Sequence, residues 1–102
     1  MLKLGLYVRL EAKAGKENEL QQFLVNALPL ANAEQGTPVW FALRFSPTSF
    51  GIFDAFSAET GRQAHLEGPI AAALMAKADD LLAVAPTIEK VDVLAAKVTE
   101  SG

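Results

Sequence analysis

The sequence predicts one α+β domain in the order β-α-β-β-α-β with a four-stranded antiparallel sheet. Three observations carry that prediction. Apolar residues alternate with period two near both ends of the chain and in two adjacent central runs. Helical spacing fills the two intervals between them. The 102 residues suffice for one hydrophobic core and are too few for two.

Residues 3–12 place Leu4, Leu6, Val8, Leu10 and Ala12 on one face and Lys3, Gly5, Tyr7, Arg9 and Glu11 on the other, which is the pattern of a strand. Ala14-Gly15 ends it. From residue 16 the apolar positions become Leu20, Phe23, Leu24, Ala27, Leu28 and Ala31, one stripe of an amphipathic helix. Pro29 lies inside that stripe and is expected to kink the helix, because proline removes an amide donor and crowds the preceding turn. Gly36 suits a left-handed stop after it.

Runs 38–46 and 49–57 flank a tight turn at Pro47-Thr48 and read as an antiparallel hairpin. Both are apolar on two sides: Phe41, Leu43 and Phe45 alternate with Trp40, Ala42 and Arg44, and Phe50, Ile52 and Phe56 with Gly51, Phe53 and Ala55. Ser57 is the expected N-cap of a helix over 58–66. Gly68-Pro69 interrupts, an Ala-rich helix follows over 70–84, and Pro86 closes it. Alternation returns over 87–98, so the domain spans 1–98, and 99–102 reads as a flexible tail.

The β-α-β halves are similar in length, the signature of a ferredoxin-like sheet. Helices on one face leave the other open. The Phe, Ile and Leu on that face exceed what a monomer tolerates, so a homodimer packed sheet to sheet, a dimeric α/β barrel, is expected.

Composition narrows the function. With no cysteine and one histidine, disulfides, thiolate metal sites, Fe–S clusters and a cysteine nucleophile are excluded, and no dedicated metal site is expected. A net charge of -3 without a Lys/Arg cluster argues against nucleic acid as partner. No apolar run approaches the roughly 18 residues that cross a bilayer, and Met1-Leu2-Lys3-Leu4 leads into a strand pattern, so a cytoplasmic protein without a membrane partner is expected.

Several segments, in order and over nearly the whole chain, resemble the antibiotic-biosynthesis-monooxygenase family: Leu6-Tyr7-Val8-Arg9-Leu10, Ala33-Glu34-Gln35-Gly36-Thr37, the hairpin from Trp40 to Phe45 and Phe50 to Phe56, and Gln63-Ala64-His65-Leu66. The resemblance implies a small dimeric α+β barrel that acts on aromatic or quinone-type molecules without a bound cofactor. Haem-degrading relatives carry an asparagine in the first strand and a tryptophan about ten residues before the helix histidine. Here the first strand has none, and Ala55 stands at the second position, which disfavours haem degradation.

His65 has the one side chain that ordinarily titrates near neutral pH, and it matches the family's helix histidine. It is the candidate catalytic residue, expected to take a phenolic proton; the plainer alternative is a hydrogen bond to backbone near the Gly68-Pro69 break. Tyr7, Trp40 and Phe53 are the candidate substrate-binding residues, with core or interface packing as their plainer role. Arg9 and Asp54 are expected to pair across the sheet. Glu34, Glu59 and Glu67 lie beside helix ends and read as solvated or dipole-matching charges.

The resemblance thus implies a cofactor-independent monooxygenase that joins molecular oxygen to a quinol or polyketide-like aromatic substrate. The alternatives are a non-catalytic dimeric module for a small aromatic ligand, and an oxygen-independent isomerase or decarboxylating enzyme of the same barrel family with His65 as proton shuttle.

Overall fold

Each of the two predicted helical intervals is divided in the computed structural model, which describes residues 1–99. The elements are β1 (Leu4–Glu11), α1 (Glu17–Asn26), α2 (Leu28–Ala33), β2 (Val39–Arg44), β3 (Ser49–Phe56), α3 (Glu59–Leu66), α4 (Pro69–Leu81) and β4 (Thr87–Asp92). The strands form one antiparallel sheet in the order β2-β3-β1-β4, the ferredoxin-like arrangement expected.

Alternation along β1 decides which face is dry. Leu6, Val8 and Leu10 are buried, and across the ladder they meet Asp54, Ile52 and Phe50 of β3. The same face takes Leu20 and Leu24 from α1 and Leu74 and Leu81 from α4 into one core. Full burial of each large aliphatic or aromatic side chain contributes about 1.5–3 kcal/mol, so this layer is the main source of stability. Tyr7, Arg9, Phe41 and Phe53 occupy the opposite face, where no helix of the described residues lies; Phe41 is 53% exposed.

Several local expectations change. Proline breaks the first helix outright: α1 ends at Asn26, Ala27 links the two pieces, and Pro29 stands in the first turn of α2, where its missing amide costs nothing. Gly36 is not left-handed; among the described residues Gly15 alone has that conformation, at φ 85°. Ala58, not Ser57, precedes α3, and no side chain caps it. Helix α4 stops at Leu81 because Leu82 bridges to Ala12 and the Ala83 amide donates to the Glu11 carbonyl. Strand β4 ends at Asp92, short of residue 98, and the Val93 amide makes one further bond to the Lys3 carbonyl at 2.8 Å. The tail expected at 99–102 lies outside the described residues from 100 onward.

Arg9 and Asp54 do not pair. They differ in parity along adjacent strands and so project from opposite faces: Arg9 stands across from Gly51, and Asp54 from Leu6. Arg9 instead donates to Ser49 Oγ at 3.1 Å and stacks over Phe45 at 4.5 Å from the ring centre.

Candidate functional site

Helix α3 turns only Arg62 and His65 inward, three residues apart on one face. Arg62 anchors the helix to the sheet: its Nη1 donates to the Gly5 carbonyl at 3.2 Å while its Nε donates to Glu59 at 2.7 Å. That anchorage sets His65, one turn further on, beneath β3 with its ring 5.6 Å from the Phe56 ring.

Carboxylates meet both nitrogens of the imidazole. Nδ1 lies 2.5 Å from Glu34 Oε1, and Nε2 lies 3.0 Å from Asp54 Oδ2. Asp54 reaches the ring because its parity on β3 is that of Ile52 and Phe50, the core-facing set. Glu34 reaches it because the backbone turns extended directly after α2, and Thr37 fixes the carboxylate by donating to the same Oε1 at 2.8 Å.

The charge state follows from competition between burial and these partners. Burial alone lowers the His65 pKa, yet Asp54 and Glu34 outweigh it and hold the pKa raised to about 9. At neutral pH the ring is an imidazolium that donates from Nδ1 to Glu34 and holds Asp54 at ion-pair distance from Nε2. Asp54 is governed by burial, which pushes its pKa up, while His65 draws it back down.

Asp54 is 0% exposed, and neither carboxylate oxygen has an aligned hydrogen-bond donor: the His65 contact is an ion-pair distance without hydrogen-bond alignment. Asp54 and His65 together wall a cavity of about 30 Å³ between the sheet and α3–α4, otherwise lined by aliphatic residues. On the Glu34 side of the ring lies a second hollow of about 140 Å³, bordered by Thr37, Gly61 and Gly68.

The sequence-selected residues are divided between the two faces of the sheet. Trp40 shares the inner face, directly across β2–β3 from Asp54, where it packs against both apolar clusters and buries an indole N–H with no acceptor. Tyr7 and Phe53 stand opposite each other on the outer face, and Tyr7 accepts a hydrogen bond from Arg9 at 3.2 Å. Phe53 borders a groove of about 470 Å³ with Val39, Phe41 and Val93, and His65 does not reach it. Glu34 and Asp54 were not singled out as partners of His65. The position of Asp54 was signalled by its parity with Phe50, Ile52 and Phe56; nothing in the spacing of Glu34 foretells its contact across 31 residues.

Among the described residues no group of three or more His, Asp or Glu side chains is arranged to hold a metal ion, and both His65 nitrogens are committed to carboxylates. No described helix is long and apolar enough to cross a membrane.

The architecture is that of the small α+β proteins named as antibiotic biosynthesis monooxygenases. One from Nitrosomonas europaea, so named provisionally, superposes with a TM-score of 0.80 at 17% identity over 90% of this chain and 99% of its own. Another provisionally so named, from Caulobacter crescentus, gives 0.78 at 18% identity over 92% of each chain. A protein of unknown function from Nitrosomonas europaea is 63% identical over 99% of this chain and 98% of its own, with a TM-score of 0.95. The chain belongs to the same family as that protein, and its fold is antibiotic-biosynthesis-monooxygenase-like. No family model and no curated protein matches the sequence.

Proposed function

We propose that the chain is a cofactor-independent monooxygenase for hydroxylated aromatic molecules of the quinol or polyketide-like type. The observation that carries this reading is the buried Glu34–His65–Asp54 array, whose Asp54 oxygens lack aligned donors beside a cavity. In such a reaction an electron-rich phenol takes one atom of O₂ and becomes a quinone, and the other atom leaves as water. The ring supplies the electrons, a task proteins otherwise delegate to a cofactor.

The charge state redistributes the roles inferred from sequence. His65, already protonated at neutral pH, serves as the fixed cation that favours a developing phenolate, and Asp54 serves as the proton acceptor. Glu34 and Thr37 hold the ring in place. The cavity at Asp54 is far smaller than the roughly 150 Å³ that encloses a benzene ring, so the aromatic body sits outside it and presents only its hydroxyl.

The open sheet face supports a homodimer. Phe41 and Phe45 are about half exposed there beside Tyr7 and Phe53, an apolar surface that a second copy covers in a symmetric contact. The 470 Å³ groove on that face favours a second reading, a binding module for an aromatic ligand: it offers Phe41 and Phe53 as walls, and among the described residues Lys97 is its one titratable side chain.

Oxygen uptake by metal-free wild-type protein and by His65→Ala, on a panel of hydroquinones and dihydroxynaphthalenes with products identified by mass, tests the proposal. Uptake by the wild type that His65→Ala loses while remaining folded supports the oxygenase. Uptake at the buffer rate by both proteins rejects it, and saturable binding in the same panel then favours the ligand-binding module. Turnover under argon points instead to oxygen-independent chemistry.

A further inference from the structure

We propose that the cavity beside Asp54 is a receptor for a single neutral O–H group, supplied by water or by the hydroxyl of a small organic molecule, with Asp54 as acceptor and Ile88 at its mouth. A carboxylate that is 0% exposed with both oxygens lacking aligned donors is costly, and buried polar groups normally find a partner. The cavity it faces has about 30 Å³, enough for one water-sized group.

The walls decide the chemistry of the occupant. Leu6, Val8, Ile52, Ile70 and Leu74 are buried aliphatic groups that offer no donor, and His65 Nε2 lies at ion-pair distance from Oδ2 alone, so a donor for Oδ1 comes from outside the protein. An ammonium is unsuited, since it would lose its hydration among these side chains and meet the His65 cation on the same wall. A neutral hydroxyl meets neither penalty. The route in is set by exposure: of the lining residues, Leu66 and Ala71 are half-buried and Ile88 is 46% exposed, which places the mouth at the β4 edge of the sheet beside the α3–α4 junction.

This inference deepens the proposed function and rests on its assignment of Asp54 as the group that meets the substrate hydroxyl. It is read by binding alone, without oxygen. The test combines a high-resolution crystal structure of the wild type, with and without a methanol soak, and methyl NMR under argon with phenol or anisole as titrant. An ordered oxygen about 3 Å from an Asp54 carboxylate oxygen is expected. Phenol should shift the Ile52, Ile70 and Ile88 methyls saturably, with anisole about tenfold weaker because it has no proton to donate.

An ordered oxygen displaced by methanol or phenol identifies a ligand-hydroxyl site. One that neither displaces identifies a resident water, which also supports the receptor. An empty cavity together with unshifted methyls overturns the proposal, as does anisole acting as strongly as phenol. Asp54→Asn should weaken the phenol response. Ile88→Ala, which leaves the carboxylate intact and widens the mouth, should strengthen it severalfold and serves as the test should Asp54→Asn not fold. Binding without oxygen uptake would retain the receptor and reject the oxygenase; uptake without binding at Asp54 would do the reverse.

Discussion

Gly61 of α3 rests on the backbone of Gly36: a β-carbon added at position 61 would lie 2.5 Å from the Gly36 carbonyl oxygen. No side chain fits between the helix and the loop that carries Glu34. The contact therefore sets the distance across which Glu34 meets His65.

Gly61→Ala should destabilise the protein by about 1–3 kcal/mol, since the obstructing atom is backbone and the helix or the loop must move. Urea unfolding followed through Trp40 fluorescence measures it. A variant as stable as the wild type would mean that this approach is looser than the geometry states.

Stability should fall as the solution becomes alkaline. His65 has its pKa raised from 6.5 to about 9 in the folded chain, so its contribution is complete below pH 6.5 and is lost as pH rises through about 9. Asp54, also raised, changes stability in the same direction at lower pH. The imidazolium's share is on the order of 3 kcal/mol. Denaturation midpoints of wild type and His65→Gln between pH 6 and pH 10 should converge with rising pH; parallel curves would contradict the charged ring.

The chain has one histidine, so its ring protons can be followed by NMR without assignment ambiguity. Asp54→Asn or Glu34→Gln removes one of the two carboxylates that raise its pKa, and each should bring the titration midpoint below that of the wild type. A midpoint unchanged in both variants would show that the array does not hold the proton.

Phe53→Asp puts a charge on the outer face without touching the core face of β3. Sedimentation of the wild type should show a species of twice the 10.9 kDa chain, and the variant should shift toward the monomer. A wild type that stays monomeric at micromolar concentration would reject the homodimer.

The sheet was legible because period-two alternation is a direct imprint of two unlike environments, as Leu6, Val8 and Leu10 against Tyr7 and Arg9 illustrate. Element ends were less so. Whether α4 runs to residue 84 depends on Leu82 finding Ala12, a contact between distant parts of the chain. The site was half legible. His65 stood out by residue type, whereas Asp54 was expected to pair with Arg9, an expectation that passed over the parity it shares with Ile52 and Phe56 on the core face. Glu34 was hidden because a glutamate at a helix end resembles many solvated glutamates until the Gly36–Gly61 approach brings it under the ring. Tyr7 and Phe53 share a side of the sheet with each other and not with His65, a separation that follows from the same alternation.

The proline break after α1 also divides the interior. Ala27, Ala31 and Ile70 form a small cluster of their own, and partly buried Trp40 packs against both this cluster and the main core. The stretch from α2 through Thr37 is thus held by few apolar groups and is the segment expected to exchange its amide hydrogens before the sheet does. Each such opening withdraws Glu34 and leaves the imidazolium with Asp54 alone, so the proton on His65 should be most readily released in brief excursions of a segment more than thirty residues away in sequence.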